Sequence, residues 1–234
     1  CIERAYSSLI FNYFLCSYKR LGQTSNMIAA LMCGGRSTRM NTVIESEKPM
    51  LKLRGVTMVE RVLHALVGFR QFEKIVAISS LNTPKTTVFL RDHYYSGSGL
   101  MDVVETNGIS YSEDLSIVVH KFKPSRVFVV SADLPLLNPK IVEDIAVRSM
   151  PNFPCVSVVL EKLFVERIGM EPSITIIIGK KEYSHSGITI LDSSKVSRDR
   201  FLEEHYIVMN KKELAVNVNS TRELEMAEAM LQDN

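Results

Sequence analysis

The stretch "ALMCGGRSTRMN", residues 30–41, is an apolar run that ends in two glycines and continues into two arginines. A short apolar run bounded by glycine is typical of a buried strand, and Gly34-Gly35 lets the backbone turn and bring amide N–H groups close to a ligand. Phosphate oxygens accept from such amides, and Arg36 and Arg39 add charged donors. The spacings of a Walker A loop and of G-x-G-x-x-G are absent from the sequence, so an ordinary turn with solvated arginines stays open as the alternative.

A lysine follows at the end of the same loop. Lys48 stands directly before Pro49, and a residue before proline favours an extended backbone. We therefore expect the Lys48 ammonium to point back at the glycines as a compact positive charge. By itself Glu-Lys-Pro is a common surface tripeptide, but after a strand, two glycines and Arg39 it favours an anion site.

An aspartate follows a second apolar run. Residues 126–131 predict a buried strand, and Asp133 comes two positions after its end. Open α/β sheets bind ligands at the carboxyl ends of their strands, and Mg²⁺ favours a carboxylate combined with substrate phosphates. We expect Asp133 to bind Mg²⁺; the alternative is an Asx turn before Pro135.

Short apolar runs alternate with helix-period segments from Met27 onward, which predicts an α/β fold with a doubly wound, mostly parallel sheet. The predicted strands are residues 28–32, 74–79, 101–105, 126–131 and 155–160, and the predicted helices are residues 57–69, 84–93, 110–120, 139–150 and 220–231. Thr57, Asn138 and Ser220 are expected to cap three of these helices. Residues 173–179 and 187–192 predict an antiparallel pair that lies over the sheet as a lid or wall.

Composition excludes several classes of protein. The 234 residues are 46% hydrophobic and 23% charged, as in ordinary globular proteins. A net charge of +2 is too small for a nucleic-acid binder, and no apolar stretch reaches the ~18–20 residues that cross a bilayer. The four cysteines are too widely spaced for a zinc or disulfide framework, and the five histidines contain no i, i+4 pair. We expect a cytoplasmic protein with no nucleic-acid or membrane partner.

The first 26 residues differ from the rest. Residues 7–18 are largely apolar and are followed by Lys19-Arg20 rather than by a small-residue cleavage site. We expect residues 1–26 to be an extension outside the fold, with a docked amphipathic segment as the alternative. No internal repeat or obvious linker divides residues 27–234, which we expect to form a single domain.

The order Gly-Gly-x-x-x-Arg-Met, Lys-Pro and a strand before Asp133 resembles the nucleotidyltransferases that transfer a nucleoside monophosphate from a nucleoside triphosphate. Further motifs narrow the resemblance to the archaeal GTP:adenosylcobinamide-phosphate guanylyltransferases of cobalamin synthesis. They are "SSLNTPKT" (79–86), "SEDL" (112–115), "SADLPLL" (131–137), "SGITILD" (186–192) and "AVNVNSTRELEMAE" (215–228). The resemblance extends from Met27 to about residue 231. It implies a nucleotide-diphospho-sugar-transferase-like fold, GTP and a corrinoid phosphate as partners, and Mg²⁺ as cofactor, and it is compatible with a homodimer.

The resemblance also implies a role for each matching residue. Lys48 would contact the reacting phosphate, Arg36 and Arg39 would hold the leaving pyrophosphate, and Asp133 would hold Mg²⁺. Asn219, or alternatively Asn217, would complete the metal site or position the acceptor. The residues implied around the triphosphate are Gly34, Gly35, Arg36, Ser37, Thr38 and Arg39. Those implied for guanine are Asn82, Thr83, Pro84 and Lys85, where free N–H groups at a helix start are expected to contact the base; Lys85 is alternatively a solvated lysine of that helix start. Those implied for the acceptor are Gly187, Thr189 and His185.

Two departures and several alternatives remain. Asn41 stands where relatives keep a glycine, with a longer spacer before Glu47, and Thr189 stands where relatives tend to have asparagine. A guanylyltransferase for molybdopterin or phospholactate would share Lys48 and Asp133. A non-catalytic nucleotide-binding protein of the same fold would bind GTP without releasing pyrophosphate. A structural or interaction domain would bind no GTP.

Overall fold

A computed structural model describes residues 27–35, 46–95, 99–122, 125–149, 153–197 and 202–231. The leading segment 1–26 lies outside the described residues, so its separation from a domain at residues 27–234 stays a prediction.

Strands and helices alternate through the first two thirds of the described chain, as the sequence predicts. In chain order the elements are β1 (Met27–Met32), β2 (Lys52–Leu53), β3 (Val56–Thr57), α1 (Met58–Phe69), β4 (Lys74–Ser80), α2 (Pro84–Tyr94), β5 (Met101–Thr106), α3 (Tyr111–Lys121), β6 (Arg126–Ser131), α4 (Pro139–Arg148), β7 (Cys155–Glu161), α5 (Lys162–Arg167), β8 (Thr175–Ile178), β9 (Lys181–Asp192), β10 (Glu204–Val208), α6 (Lys212–Ala215) and α7 (Thr221–Met230). Every predicted helix and each of the five predicted parallel strands is present within one or two residues of its predicted ends.

The main sheet has the strand order β10-β7-β9-β6-β1-β4-β5. β1 pairs in parallel with β4 and β6, β4 with β5, and β7 with β10, whereas β9 runs antiparallel to both of its neighbours. β8 pairs with β9 at the margin of this sheet, and β2 and β3 form a separate ribbon. The predicted fold class, α/β with a mostly parallel sheet and an antiparallel excursion, is confirmed.

The predicted position of the antiparallel pair over the sheet is wrong. β9 spans twelve residues and lies inside the sheet, where its second half pairs with β6 on one side and β7 on the other. Only its first half pairs with β8. The physical reason is burial. Ile188 and Ile190 are fully buried in the main core, and a strand that lay over the sheet would leave their apolar side chains partly exposed to water.

Helices cover both faces of the sheet. In β1, Ala29 and Leu31 belong to the core beneath α1 and α4, while Ala30 and Met32 belong to the core beneath α3, which contributes Val118. A strand buried on both faces reads as a continuous apolar run rather than an alternating one. This explains why the start of "ALMCGG" predicts a central strand.

The three predicted caps are confirmed. Thr57 and Glu60 form a capping box at α1, the Asn138 side chain accepts from Ile141 N–H at α4, and Ser220 accepts from Glu223 N–H at α7. The sequence did not predict β10, α5 or α6, which are short and have at most two buried residues each. Within the described part of the chain, no helix combines the length and apolarity needed to span a bilayer.

Hydrogen bonds at Ser80 connect the carboxyl ends of β1, β4 and β5. The Ser80 hydroxyl donates to the Gly34 carbonyl at 2.8 Å and accepts from Asn82 N–H at 3.1 Å. The Asn82 amide in turn donates to the Gly108 carbonyl at 3.0 Å, just beyond β5. The glycine loop after β1 is therefore anchored at its first residue by β4 and, through β4, by the β5 loop.

We expect Gly108→Ala to destabilise the fold more than Gly179→Ala. Both glycines have positive φ, +66° and +63°, and an alanine there costs about 1–2 kcal/mol. A Cβ at Gly108 would also overlap the Asn82 amide and lie 2.9 Å from Ser80 Cβ, whereas a Cβ at Gly179 meets nothing within 4 Å. Urea unfolding should show an additional loss of about 1–3 kcal/mol for Gly108→Ala. Equal losses would contradict the close packing at Ser80.

Candidate active site

Lys48, Asp133 and Asn219 meet at the carboxyl edge of the sheet. The Lys48 Nζ lies 2.7 Å from Asp133 Oδ2 and donates to Asn219 Oδ1 at 2.8 Å. The Lys48 and Asp133 side chains are each only 14% exposed. Residues separated by 85 and 171 positions in the chain are thus joined by one ammonium group. The sequence prediction named all three, and the structure brings them together.

Lys48 does not have the extended backbone that its place before proline predicts. It opens the 3-10 turn Lys48–Met50, which is closed by bonds from Met50 N–H to the Glu47 carbonyl and from Leu51 N–H to the Lys48 carbonyl. Pro49 is buried in this turn. The two backbone bonds and the burial of Pro49 outweigh the preference of a pre-proline residue for extended geometry.

Asp133 is fixed through its backbone. Ala132 N–H donates to the Met32 carbonyl, and Val218 N–H donates to the Asp133 carbonyl, both at 3.0 Å. The turn after β6 is therefore held between β1 and the segment that carries Asn219. The second carboxylate oxygen, Oδ1, is buried and has no hydrogen-bond partner among the described residues. This oxygen therefore has acceptor capacity for a further hydrogen-bond donor or a cation.

Asn219 is oriented by its neighbours. Its Nδ2 donates to Asn217 Oδ1 at 2.9 Å, which leaves Oδ1 of Asn219 facing Lys48. Its backbone N–H donates to Glu223 Oε2 at 2.6 Å at the start of α7. The motif Asn217-Val218-Asn219 therefore supplies an amide oxygen to the site and a second amide that holds the first in place.

The predicted guanine-binding residues, 82–85, have two structural features that the sequence does not predict. The N–H groups of Lys85 and Thr86 are not free, because the Glu47 carboxylate accepts from both at 2.7 Å. Thr83 is buried, and its hydroxyl bonds the Ser80 backbone; its predicted contact with guanine stays a prediction.

The other predicted nucleotide contacts stay predictions. Asn82 lies beside the glycine loop with its Nδ2 bonded to Gly108, and the Pro84 and Lys85 side chains are exposed at the start of α2. Gly34 and Gly35 are placed at the end of β1, as expected. Arg36, Ser37, Thr38 and Arg39 lie outside the described residues.

Gly187 brings β9 against the site. Its φ is +85°, and a Cβ there would lie 3.5 Å from Ser131 Cβ and 3.8 Å from Asn217 Nδ2. The backbone at Gly187 is therefore close to the amide that orients Asn219. Its predicted contact with an acceptor stays a prediction, but its proximity to the Lys48 cluster is a feature of the fold.

A chain of hydrogen bonds leads from Gly187 across the sheet. Gly187 N–H donates to His185 Nδ1 at 2.9 Å, and His185 Nε2 lies 3.3 Å from the Thr189 hydroxyl. That hydroxyl bonds Ser157 at 2.9 Å, and Ser157 donates to the Glu204 carboxylate. The backbone donor at Nδ1 requires the neutral His185 tautomer with its proton on Nε2.

The sequence did not identify Ser157, Glu204 or Glu47 as members of this site. Ser157 and Glu204 stand in strands whose pairing with β9 cannot be read from local patterns. Glu47 was noted only as part of Glu-Lys-Pro. Cys33, next to the glycines, is no nucleophile, since burial and then the charge of Asp133 raise the pKa of its thiol far above the ordinary range.

We expect folding stability to fall as the pH decreases below 6.5, in part through His185. Burial lowers its pKa from the ordinary 6.5, and Glu204 offsets this only partly. Below pH 6.5 the His185 side chain binds a proton in the unfolded chain, whereas in the folded protein it stays neutral down to its lowered pKa. His185→Gln should therefore reduce the loss of unfolding free energy between pH 7 and pH 5, measured by urea titration. Equal slopes for His185→Gln and the unsubstituted protein would contradict the neutral His185.

Comparison with known proteins relates this geometry to a family. A family model described as a MobA-like NTP transferase domain matches residues 29–161. A probable molybdenum cofactor guanylyltransferase of Natranaerobius thermophilus is 24% identical over 217 residues, which cover 89% of this chain and 98% of the relative. Another of the same description, from Thermococcus sibiricus, is 26% identical over 117 residues, covering 50% of this chain and 53% of the relative.

Solved structures share the fold at low sequence identity. A putative glucose-1-phosphate thymidylyltransferase of Bacillus anthracis gives a TM-score of 0.65 at 14% identity and covers 89% of this chain and 96% of its own. A CMP:2-keto-3-deoxy-manno-octonic acid synthetase gives 0.61 at 13% identity over 88% of this chain and 98% of its own. Because the family model spans more than half of the residues, this chain belongs to the MobA-like NTP transferase family and is a nucleotidyltransferase.

Proposed function

We propose that this protein transfers GMP from GTP to a phosphate group of a small acceptor, and that the acceptor is adenosylcobinamide phosphate. The observation that carries the proposal is the Lys48–Asp133–Asn219 cluster at the carboxyl edge of the parallel strands, beside the glycine loop. The corrinoid acceptor is supported by the sequence motifs at residues 79–86 and 215–228.

In the proposed reaction a phosphate oxygen of the acceptor attacks the α-phosphorus of GTP. A new P–O–P bond forms, the bond between the α-phosphorus and the bridging oxygen breaks, and pyrophosphate leaves with that electron pair. Such a transfer depends on positioning and charge stabilisation rather than on a protein nucleophile. Burial raises the pKa of the Cys33 thiol, the nucleophilic side chain nearest the glycines, which is consistent with this chemistry.

The donor set of the cluster fits Mg²⁺. Asp133 Oδ1 is buried and has no hydrogen-bond partner among the described residues, and Asn219 Oδ1 accepts from the same Lys48 ammonium that pairs with Asp133 Oδ2. In the described part of the chain no three His, Cys, Asp or Glu side chains converge, so most ligands would come from water and substrate phosphates, as Mg²⁺ prefers. When bound by Asp133 and Asn219, the ion would supply charge neutralisation on the triphosphate.

Lys48 supplies the remaining charge in the proposed mechanism. Its ammonium is held between Asp133 and Asn219 at 2.7 and 2.8 Å, so it is already oriented before a substrate arrives. A preorganised cation stabilises the negative charge that develops on the α-phosphate without reorganisation during the reaction. The acceptor is proposed to approach along β9 at Gly187, where a Cβ would lie 3.8 Å from Asn217 Nδ2.

Molybdopterin is the second candidate acceptor. The relative that matches this chain over 98% of its own length is named a probable molybdenum cofactor guanylyltransferase. This observation favours the same GMP transfer onto a different phosphate, through the same Lys48 and Asp133. Only the acceptor distinguishes the two candidates.

The deciding experiment measures pyrophosphate release with Mg²⁺ and each of the four NTPs, with adenosylcobinamide phosphate or molybdopterin as acceptor. We expect release with GTP and the corrinoid phosphate, and the guanylylated product by mass spectrometry. Release only with molybdopterin would transfer the proposal to the second acceptor. Absence of release with every pair would overturn the proposed guanylyl transfer to these two acceptors.

We expect Lys48→Ala to lower turnover by about 10²-fold or more, the size of effect seen when a preorganised charge donor is removed. Lys162→Ala is the matched control, because it removes another ion-paired lysine, bound to Glu182 at 2.8 Å. Initial rates of pyrophosphate release at saturating GTP provide the measurement. Near-normal turnover of Lys48→Ala would remove Lys48 from the reaction.

A further inference from the structure

Glu47 joins the loop that carries Lys48 to a separate helix. Its Oε1 accepts from Lys85 N–H at 2.7 Å, and its Oε2 accepts from Thr86 N–H at 2.7 Å and from the Thr86 hydroxyl at 2.6 Å. Three donors from the first turn of α2 thus converge on one carboxylate. Hydrogen bonds to an ionised acceptor at a helix N-terminus are the strong ones, because charge and helix dipole add.

Glu47 caps α2 from a distant part of the chain, whereas a helix is usually capped by the residue directly before it. The N-cap residue of α2, Thr83, makes no side-chain capping bond, and its hydroxyl bonds the Ser80 backbone instead. The carboxylate that accepts from the N–H groups of Lys85 and Thr86 belongs to Glu47, which precedes them by 38 and 39 positions in the chain. Capping α2 therefore also fixes the residue directly before Lys48.

Lys48 follows Glu47 directly and is fixed on its other side as well. Pro49 is buried, and Leu51 N–H donates to the Lys48 carbonyl at 3.1 Å. The Lys48 backbone is therefore held between the Glu47 clamp and the buried turn. Its side chain spans from there to Asp133 and Asn219.

We propose that Glu47 is a positioning residue that holds the Lys48 ammonium on Asp133 through its clamp on the first turn of α2. The three residues Glu47-Lys48-Pro49 then have distinct tasks: Glu47 binds α2, Lys48 carries the charge, and Pro49 anchors the turn in the core. The inference concerns the geometry of Lys48, and only its turnover readout rests on the proposed function.

The first test measures the position of Lys48 without any substrate. Acetylation by an N-hydroxysuccinimide ester, followed by mass spectrometry, reports how accessible each lysine is. Lys48 is ion-paired and 14% exposed in the intact clamp, so we expect Glu47→Ala to raise its acetylation rate roughly 10-fold and Thr86→Val to raise it less. Lys162, paired with Glu182, should be unchanged in every variant. An unchanged rate at Lys48 in folded Glu47→Ala would overturn the proposal.

Tyr94→Phe is the matched control for stability. It removes one hydrogen bond to a carboxylate, Tyr94 Oη to Glu60 Oε1 at 2.9 Å, at the other end of the same helix. We expect it to lower the melting temperature without changing Lys48 acetylation. Equal acetylation of Lys48 in Tyr94→Phe and Glu47→Ala would show a general loosening of α2 and would also overturn the proposal.

The second test is a double-mutant cycle on turnover. If Glu47 acts through Lys48, Glu47→Ala should lower kcat roughly 10- to 100-fold, the range expected when a reacting group is misplaced by about 1 Å, and should have no further effect in the Lys48→Ala background. Multiplying effects in the double variant would overturn the proposal, since Glu47 would then act independently. Failure of every NTP to support turnover would count against the proposed function alone, because the acetylation test stands without it.

Discussion

The ion pair between Lys48 and Asp133 is the contact on which the rest of the site depends. A carboxylate that is only 14% exposed is costly to leave unpaired, and the ammonium that compensates it comes from a loop beyond β1. Asn219 then meets the same ammonium from a third segment. One buried charge therefore specifies how the β1 loop, the β6 turn and the start of α7 must be arranged relative to one another.

The sheet is built in two parts around this pair. The parallel strands β1, β4, β5 and β6 bring the glycine loop, Ser80 and Asp133 to one edge, as doubly wound sheets do with their ligand sites. β9 joins them in the opposite direction, and its backbone at Gly187, which has a positive φ, lies against Ser131 and Asn217. The family model covers the first part and ends at residue 161. β9 and β10, in the second part, lie beyond the end of that model.

The sequence predicted those features that local patterns encode. The central strands appear in the sequence as continuous apolar runs, and Thr57, Asn138 and Ser220 mark three helix starts. Lys48 and Asp133 follow predicted strands, at the edge of the sheet where α/β folds bind ligands. The place of β9 within the sheet could not be predicted, because strand order depends on pairing between residues far apart in the chain. The Glu47 clamp was missed for the same reason: its partners are 38 and 39 residues away.

Thr189, one of the two positions at which the sequence departs from the family pattern that it resembles, belongs to the hydrogen-bond chain across the sheet. Its hydroxyl is already bonded to Ser157 and lies 3.3 Å from His185 Nε2. A ligand that bonds this hydroxyl would compete with those two bonds, and weakening the bond to the buried Ser157 hydroxyl is unfavourable. The Thr189 side chain therefore serves to hold His185, and through it Gly187, in place. Because Gly187 N–H donates to His185 Nδ1 at 2.9 Å, this chain of hydrogen bonds fixes the part of β9 that lies against Asn217.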